Sequence, residues 1–141
     1  HHDVGTIYNN LGTAYAHKGE YDRAIGNYEK ALAIKLKTLG LEHPSVGTSY
    51  NNLGGAYWKK GEYDKAIAYS EKSLVITLKA LGPEHPDVGL CYFNIGGAYA
   101  RKGDKVKGMD YLLKAKTIYI KRLGPDHPNT TDVQSWIDGI K

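Results

Sequence analysis

The chain is poor in sulfur and in phenylalanine. Its 141 residues include one cysteine, one methionine and one phenylalanine. A lone cysteine, Cys91, excludes an intrachain disulfide. It suits a reducing compartment, so a cytoplasmic location is expected. In packing terms it reads as a small, partly buried hydrophobe. No apolar run approaches the ~18 residues of a membrane span, and no signal-peptide pattern opens the chain. The formal charge is +4, with a sequence pI near 9.0. That excess favours acidic partners but is too small to argue for nucleic acid. There is no Ser-His-Asp set, phosphate loop, HExxH motif or cysteine pair, so neither catalysis nor a cofactor is expected.

What is abundant is equally lopsided. There are twelve tyrosines and seventeen glycines. A copied unit explains this. His1, His43, His85 and His127 lie 42 residues apart, and the stretches between them align. "NNLGTAYAHKGEYDRAI" from Asn9 to Ile25 returns as "NNLGGAYWKKGEYDKAI" from Asn51 to Ile67. The chain therefore reads as one array, 1–141. Its units are 1–42, 43–84 and 85–126, with a partial unit at 127–141. A period of this size marks units that bury their faces on one another. Because the first unit opens at the first residue, the chain is expected to be a fragment. His1-His2 reads either as a tag remnant or, since His1 is in register, as native.

Each unit reads as two helices, A and B. In the second unit helix A starts at Pro44, where a fixed φ fits and no N–H is needed. Tyr50, Leu53, Gly54 and Tyr57 fall on one face. Gly61 is the expected left-handed residue past the helix end. Helix B runs from about Glu62, with Tyr63, Ala66, Ile67, Ser70, Leu74, Leu78 and Leu81 at helical spacing, and "LGPEHP" stops it. Gly12, Gly54 and Gly96 recur inside helix A. Glycine costs a helix about 1 kcal/mol relative to alanine, so its repetition predicts close approach of two helix backbones.

Tyr8, Leu11, Gly12, Tyr15, Gly19, Tyr21, Ala24, Tyr28 and Ala31 resemble a tetratricopeptide repeat (TPR). The usual TPR period is about 34 residues. The 42-residue period, the "LGPEHP" link and the "YNNLGGAYWKKGEYDKA" core are similar to the kinesin light chain class of that repeat. The resemblance implies an all-α fold, an α-α superhelix (TPR solenoid) of antiparallel helix pairs, with helix A lining an inner groove. Its implied function is non-catalytic protein–protein interaction, with short acidic segments as ligands. The last unit departs from the pattern at Gln134 and Asp138. Residues from about Asn129 to Ile140 read as a capping helix, with Trp136, Ile137 or Ile140 covering the last apolar face. Truncation is the alternative.

On that geometry one strip of helix A faces the groove. It carries Thr6, Asn9, Asn10, Thr13 and His17 in the first unit. Thr48, Asn51, Asn52, Gly55 and Lys59 follow in the second, and Leu90, Phe93, Asn94, Gly97 and Arg101 in the third. The spacing is helical and continuous. An asparagine amide offers donors and an acceptor to a peptide backbone. Asn10, Asn52 and Asn94, one per unit, are therefore the expected ladder, or else they bond to one another and hold the stack. His17, Lys59 and Arg101 add positive charge, and Phe93 and Trp58 add apolar contact. Two other readings exist. Self-association through the repeat ends is the alternative, and RNA binding is a distant third. The in-register histidines sit in separate units, about a helix diameter apart, which is too wide for one metal ion. No metal site is expected.

Overall fold

The computed structural model describes residues 2–140, with side chains from Val4 onward. His1, the first of the in-register histidines, lies outside the described residues. The described residues form α1 (His2–His17), α2 (Tyr21–Leu39), α3 (Pro44–Lys60), α4 (Tyr63–Leu81), α5 (Pro86–Lys102), α6 (Lys105–Leu123) and α7 (Pro128–Ile140). No strand occurs among them. None of these helices is long and apolar enough to cross a membrane.

Local chemistry fixes the helix ends. Gly19, Gly61 and Gly103 hold φ of 80°, 90° and 102° at the A–B turns, where a Cβ would be strained. At the start of α3 the His43 ring acts as the cap. Its Nδ1 accepts the Ser45 amide at 3.0 Å. His85 Nδ1 accepts the Asp87 amide at 3.0 Å, and His127 Nδ1 the Asn129 amide at 3.1 Å. A recurrent imidazole thus satisfies one of the free N–H groups at the starts of α3, α5 and α7, with proline at the next position of α3 and α5. Among the described residues no three His, Cys, Asp or Glu side chains cluster to hold a metal.

The helices pack as α1·α2, α3·α4 and α5·α6 within units, and as α2·α3, α4·α5 and α6·α7 between them. The interior glycines are where pairs within a unit meet. A Cβ on Gly96 would lie 3.0 Å from the Gly108 carbonyl and 3.0 Å from the Leu112 amide. On Gly54 it would lie 3.2 Å from the Ala66 carbonyl and 2.7 Å from Ser70 Oγ. The close backbone approach expected from sequence is therefore present at Gly54 and Gly96, whereas a Cβ on Gly12 would meet the Tyr28 ring at 2.6 Å.

Three seams between units hold the core. Ala24, Ile25 and Tyr28 meet Leu53 and Ala56. Ala66 and Ile67 meet Ile95 and Ala98. Leu112, Ala115 and Tyr119 meet Val133 and Ile137 of α7, with Trp136 and Ile140 packed alongside. Leu53 and Ile95 are fully buried, and full burial of such a side chain contributes about 2 kcal/mol. Cys91 is buried too, with Ser73 Oγ 3.5 Å from its Sγ. Burial pushes its thiol up from the ordinary range. The tyrosines stack within units. Tyr57 lies parallel to Tyr69 at 5.5 Å, and Tyr99 to Tyr111 at 5.8 Å.

Candidate functional site

Consecutive A helices touch, α3 with α5 and α5 with α7. The strip residues sit along that line of contact, and the asparagines are bonded to each other. Asn52 Nδ2 donates to Asn9 Oδ1 at 2.9 Å, and Asn94 Nδ2 donates to Asn51 Oδ1 at 2.9 Å. All four are half-buried. Each rung joins the second asparagine of one unit to the first asparagine of the unit before. Asn10, in register with the donors, is exposed and has no partner among the described residues. Thr13 donates its hydroxyl to the Asn9 carbonyl at 3.1 Å and lies 3.0 Å from the Tyr28 hydroxyl. His17 is exposed at the end of α1.

The next rung changes chemistry. In the registers of Asn51 and Asn94 stand Phe93 and Trp136. Their rings meet edge to face at 6.3 Å. Trp136 also meets Trp58 at 5.8 Å. The Arg101 guanidinium lies over both indoles, 5.3 Å from Trp58 and 5.2 Å from Trp136. The register held by Thr13 in the first unit is glycine in the next two, Gly55 and Gly97. Nothing lies within 4 Å of a Cβ built on Gly55. One on Gly97 would just touch Trp136 and Trp58 at 3.8 Å.

Aromatic walls, glycines and the small side chains of Ala66 and Ser70 leave an open cleft of ≈ 240 Å³. Trp58, Phe93, Trp136, Gly55 and Gly97 line it, with Lys59 and Asn94 at its edge. No carboxylate is among the lining residues. The cleft can take an apolar side chain, and the Lys59 and Arg101 cations beside it favour a negatively charged neighbour. Asn51 and Asn52 line a second, more polar cleft of ≈ 340 Å³ with Thr48, Leu90 and Cys91.

The structure thus gathers Lys59, Phe93, Asn94 and Arg101 at one end of the strip. Asn9, Asn10, Thr13 and His17 lie on the first unit, away from the cleft. Trp136 is the wall that sequence reading assigned only to end-capping. Its signal was available, since it stands 42 residues after Asn94. Gly55 and Gly97 carry the same kind of signal, being in register with Thr13.

Models of the tetratricopeptide repeat match residues 3–76, 46–107 and 89–129. The chain belongs to the tetratricopeptide repeat family. The TPR array here has units of the kinesin-light-chain-like kind. It is similar to a Podosopora anserina structure of nearly identical TPR-like repeats, described as a kinesin light chain, with 27% identity and a TM-score of 0.87. That match covers 99% of this chain and 66% of the other. BtubC (BKLC) from P. vanneervenii is 23% identical with a TM-score of 0.87, over 96% of this chain and 54% of its own. The chain thus spans less than two thirds of the length of either. The Yersinia enterocolitica type III secretion chaperone SycD, solved in complex with a peptide of the translocator YopD, shares the fold at 17% identity. Its TM-score is 0.75, over 98% of this chain and 92% of its own. No curated protein matches the sequence.

Proposed function

We propose that this TPR array is a non-catalytic interaction module, acting in the cytoplasm, that holds a short, extended, acidic segment of a partner protein. The observation that carries the reading is the cationic, aromatic-walled cleft on the A-helix strip. An apolar side chain of the segment enters between Trp58, Phe93 and Trp136. Acidic neighbours meet Lys59 and Arg101, and His17 extends the cationic edge toward the first unit. Asn52 and Asn94 each spend one N–H on their rung, and Asn9 and Asn51 accept through Oδ1. Asparagine carries a second N–H and further acceptor capacity, so Asn52 and Asn94 can stabilise the stack and still face a peptide backbone. Asn9, Asn10, Thr13 and Asn51 continue that polar track. The complex of SycD with a YopD peptide supports the reading in that a protein of the same fold binds a peptide.

Calorimetric titration with three designed peptides tests it. One carries a central leucine flanked by glutamates, one has the leucine replaced by alanine, and one has the glutamates replaced by lysines. The leucine–glutamate peptide is expected to bind about tenfold or more tighter than the alanine version, a loss of roughly 1.4 kcal/mol. Binding should weaken as salt rises. Equal affinity for the lysine peptide would refute the assignment.

A further inference from the structure

The second cleft of the strip, ≈ 340 Å³, lies where the second and third units meet, and its donors and acceptors do not balance. Its threonines spend their hydroxyl hydrogens within their own helices. Thr48 Oγ1 donates to the Pro44 carbonyl at 3.3 Å, and Thr77 Oγ1 to the Ser73 carbonyl at 2.7 Å. Both hydroxyls therefore present lone pairs to a ligand. Asn52 bonds its rung through Nδ2, which leaves Oδ1 as an acceptor. Ser73 and Cys91 are taken up with each other. Asp87 lines the same cleft, and no lysine or arginine does. The His85 ring stands 3.8 Å from the Asp87 carboxylate, but its Nδ1 accepts the Asp87 amide and so carries no proton to give. The remaining donors are amide N–H groups of Asn51 and Asn52, which suit the carbonyls of a peptide backbone.

The neighbouring units show what kind of side chain belongs there. The register of Thr77 is held by Lys35 in the first unit and by Tyr119 in the third. Both are buried, at 7% and 0% exposure. All three lie against the helix A of their own unit. A Cβ on Gly5 would lie 3.6 Å from Lys35 Cγ, one on Gly47 3.2 Å from Thr77 Oγ1, and one on Gly89 2.8 Å from the Tyr119 ring. Threonine is the shortest of the three, and the cleft lies beside it. The register of Asp87 changes in step, being Ser45 in the second unit and Asn129 in the last. Where the long side chain of helix B is lost, the facing helix A gains a carboxylate. The cleft thus lacks a long side chain and holds the counter-charge for a cationic one.

Resting on the groove reading above, we infer that this cleft takes a lysine side chain of the same partner segment whose apolar residue fills the aromatic cleft. An ammonium has three donors and no acceptor. It matches the Thr48 and Thr77 hydroxyls and Asn52 Oδ1, with the Asp87 carboxylate at the rim. The lysine stem lies against Leu81 and Leu90. The two clefts therefore read opposite charge, acids beside Lys59 and Arg101 and a lysine beside Asp87. On α3 one cleft is lined between Pro44 and Asn52, the other between Gly54 and Lys59. Their centres are about two helical turns apart, roughly 10 Å. That is about three residues of extended chain, so the lysine stands about three residues from the apolar anchor.

Calorimetry with variants of the leucine–glutamate peptide tests this. Two carry a lysine, one of them three residues before the leucine and the other three residues after it. Their counterparts carry norleucine at the same place, which keeps the stem and removes the charge. One lysine peptide should bind about fivefold tighter than its norleucine counterpart, and which one it is fixes the direction of the segment. Asp87→Asn in the chain should abolish that gain and leave the lysine-free peptide unchanged. Thr77→Lys, which supplies the side chain from within as Lys35 does, should abolish it too. Asp87→Asn keeps the helix cap, since His85 bonds the main-chain amide, and its melting temperature checks the fold. No gain from lysine at either place, or a gain that survives Asp87→Asn, would overturn the inference and leave the aromatic cleft standing. Should none of the peptides bind, the groove reading falls, and n-butylammonium alone decides the ammonium site. Saturable shifts of the Thr77 and Asp87 amide resonances, removed by Asp87→Asn, would keep that site, and their absence would overturn it as well.

Discussion

The strip holds two kinds of rung in one register. Between the first three units the rung is an amide pair, Asn9 with Asn52 and Asn51 with Asn94. Between the third unit and α7 it is an aromatic pair, Phe93 with Trp136. An amide rung is directional, and such a hydrogen bond contributes about 1 kcal/mol net. It spans the seam with little bulk. An aromatic rung contributes through area and ring geometry instead, and it stands up as a wall. The neighbouring register differs in step. Thr13 fills the first unit and is tied to Tyr28, whereas Gly55 and Gly97 empty the next two. The strip is therefore polar beside its amide rungs, where Asn51 and Asn52 line a cleft of ≈ 340 Å³, and apolar beside its aromatic rung, where the cleft is ≈ 240 Å³. A substitution at a few registered positions turns a polar cleft into an apolar one without changing the repeat.

Breaking the aromatic rung should have the largest effect. Trp136→Ala removes a partly buried indole that packs on Phe93, Trp58 and the last seam. Loss of about 3 kcal/mol is expected in guanidinium unfolding, at the low end for a large aromatic, together with loss of peptide binding. Breaking an amide rung should cost less. Asn52→Ala and Asn94→Ala each lose about 1 kcal/mol of hydrogen bonding, partly offset by the roughly 0.5 kcal/mol that alanine gains as a helix former. Asn10→Ala has only the gain, so it should be neutral or slightly stabilising. A double-mutant cycle on Asn9 and Asn52 should show coupling of about 1 kcal/mol, and no coupling would remove the rung from the account. The most discriminating variant separates stability from binding. Gly55→Ala adds a methyl to open space and should stabilise the helix by up to about 1 kcal/mol, yet it raises the floor of the cleft. Gly54→Ala, one residue earlier, meets the Ala66 carbonyl and Ser70, and thermal unfolding should show it destabilised.

Much of this was legible in the sequence because it is carried by spacing. The 42-residue register places helix starts, left-handed glycines and the Gly54 and Gly96 contacts. The strip followed from helical periodicity once the resemblance placed helix A on an inner groove. The rungs were harder. Equivalent residues are 42 apart, but the bonded asparagines are 43 apart, because neighbouring helices bring the second asparagine of one against the first of the other. That offset belongs to the packing of two helices and appears in no single unit. The ladder expected at Asn10, Asn52 and Asn94 is thus a series of cross-links to Asn9 and Asn51, with Asn10 as its open end. Trp136 was read for its burial and not for its register, so its place as the last rung was missed. Spacing showed the histidines only as a register too wide for one metal ion, and the structure gives them a role through one atom, the capping Nδ1.

Both tryptophans of the chain, Trp58 and Trp136, line the cleft, so their emission reports its occupancy directly. The decisive measurement is a titration of tryptophan fluorescence with the leucine–glutamate peptide, on the natural chain and on Gly55→Ala. The account predicts a saturable emission shift for the natural chain and at least tenfold weaker binding for the better-folded variant. Identical titrations for the two, or heat of binding with no change in emission, would contradict it.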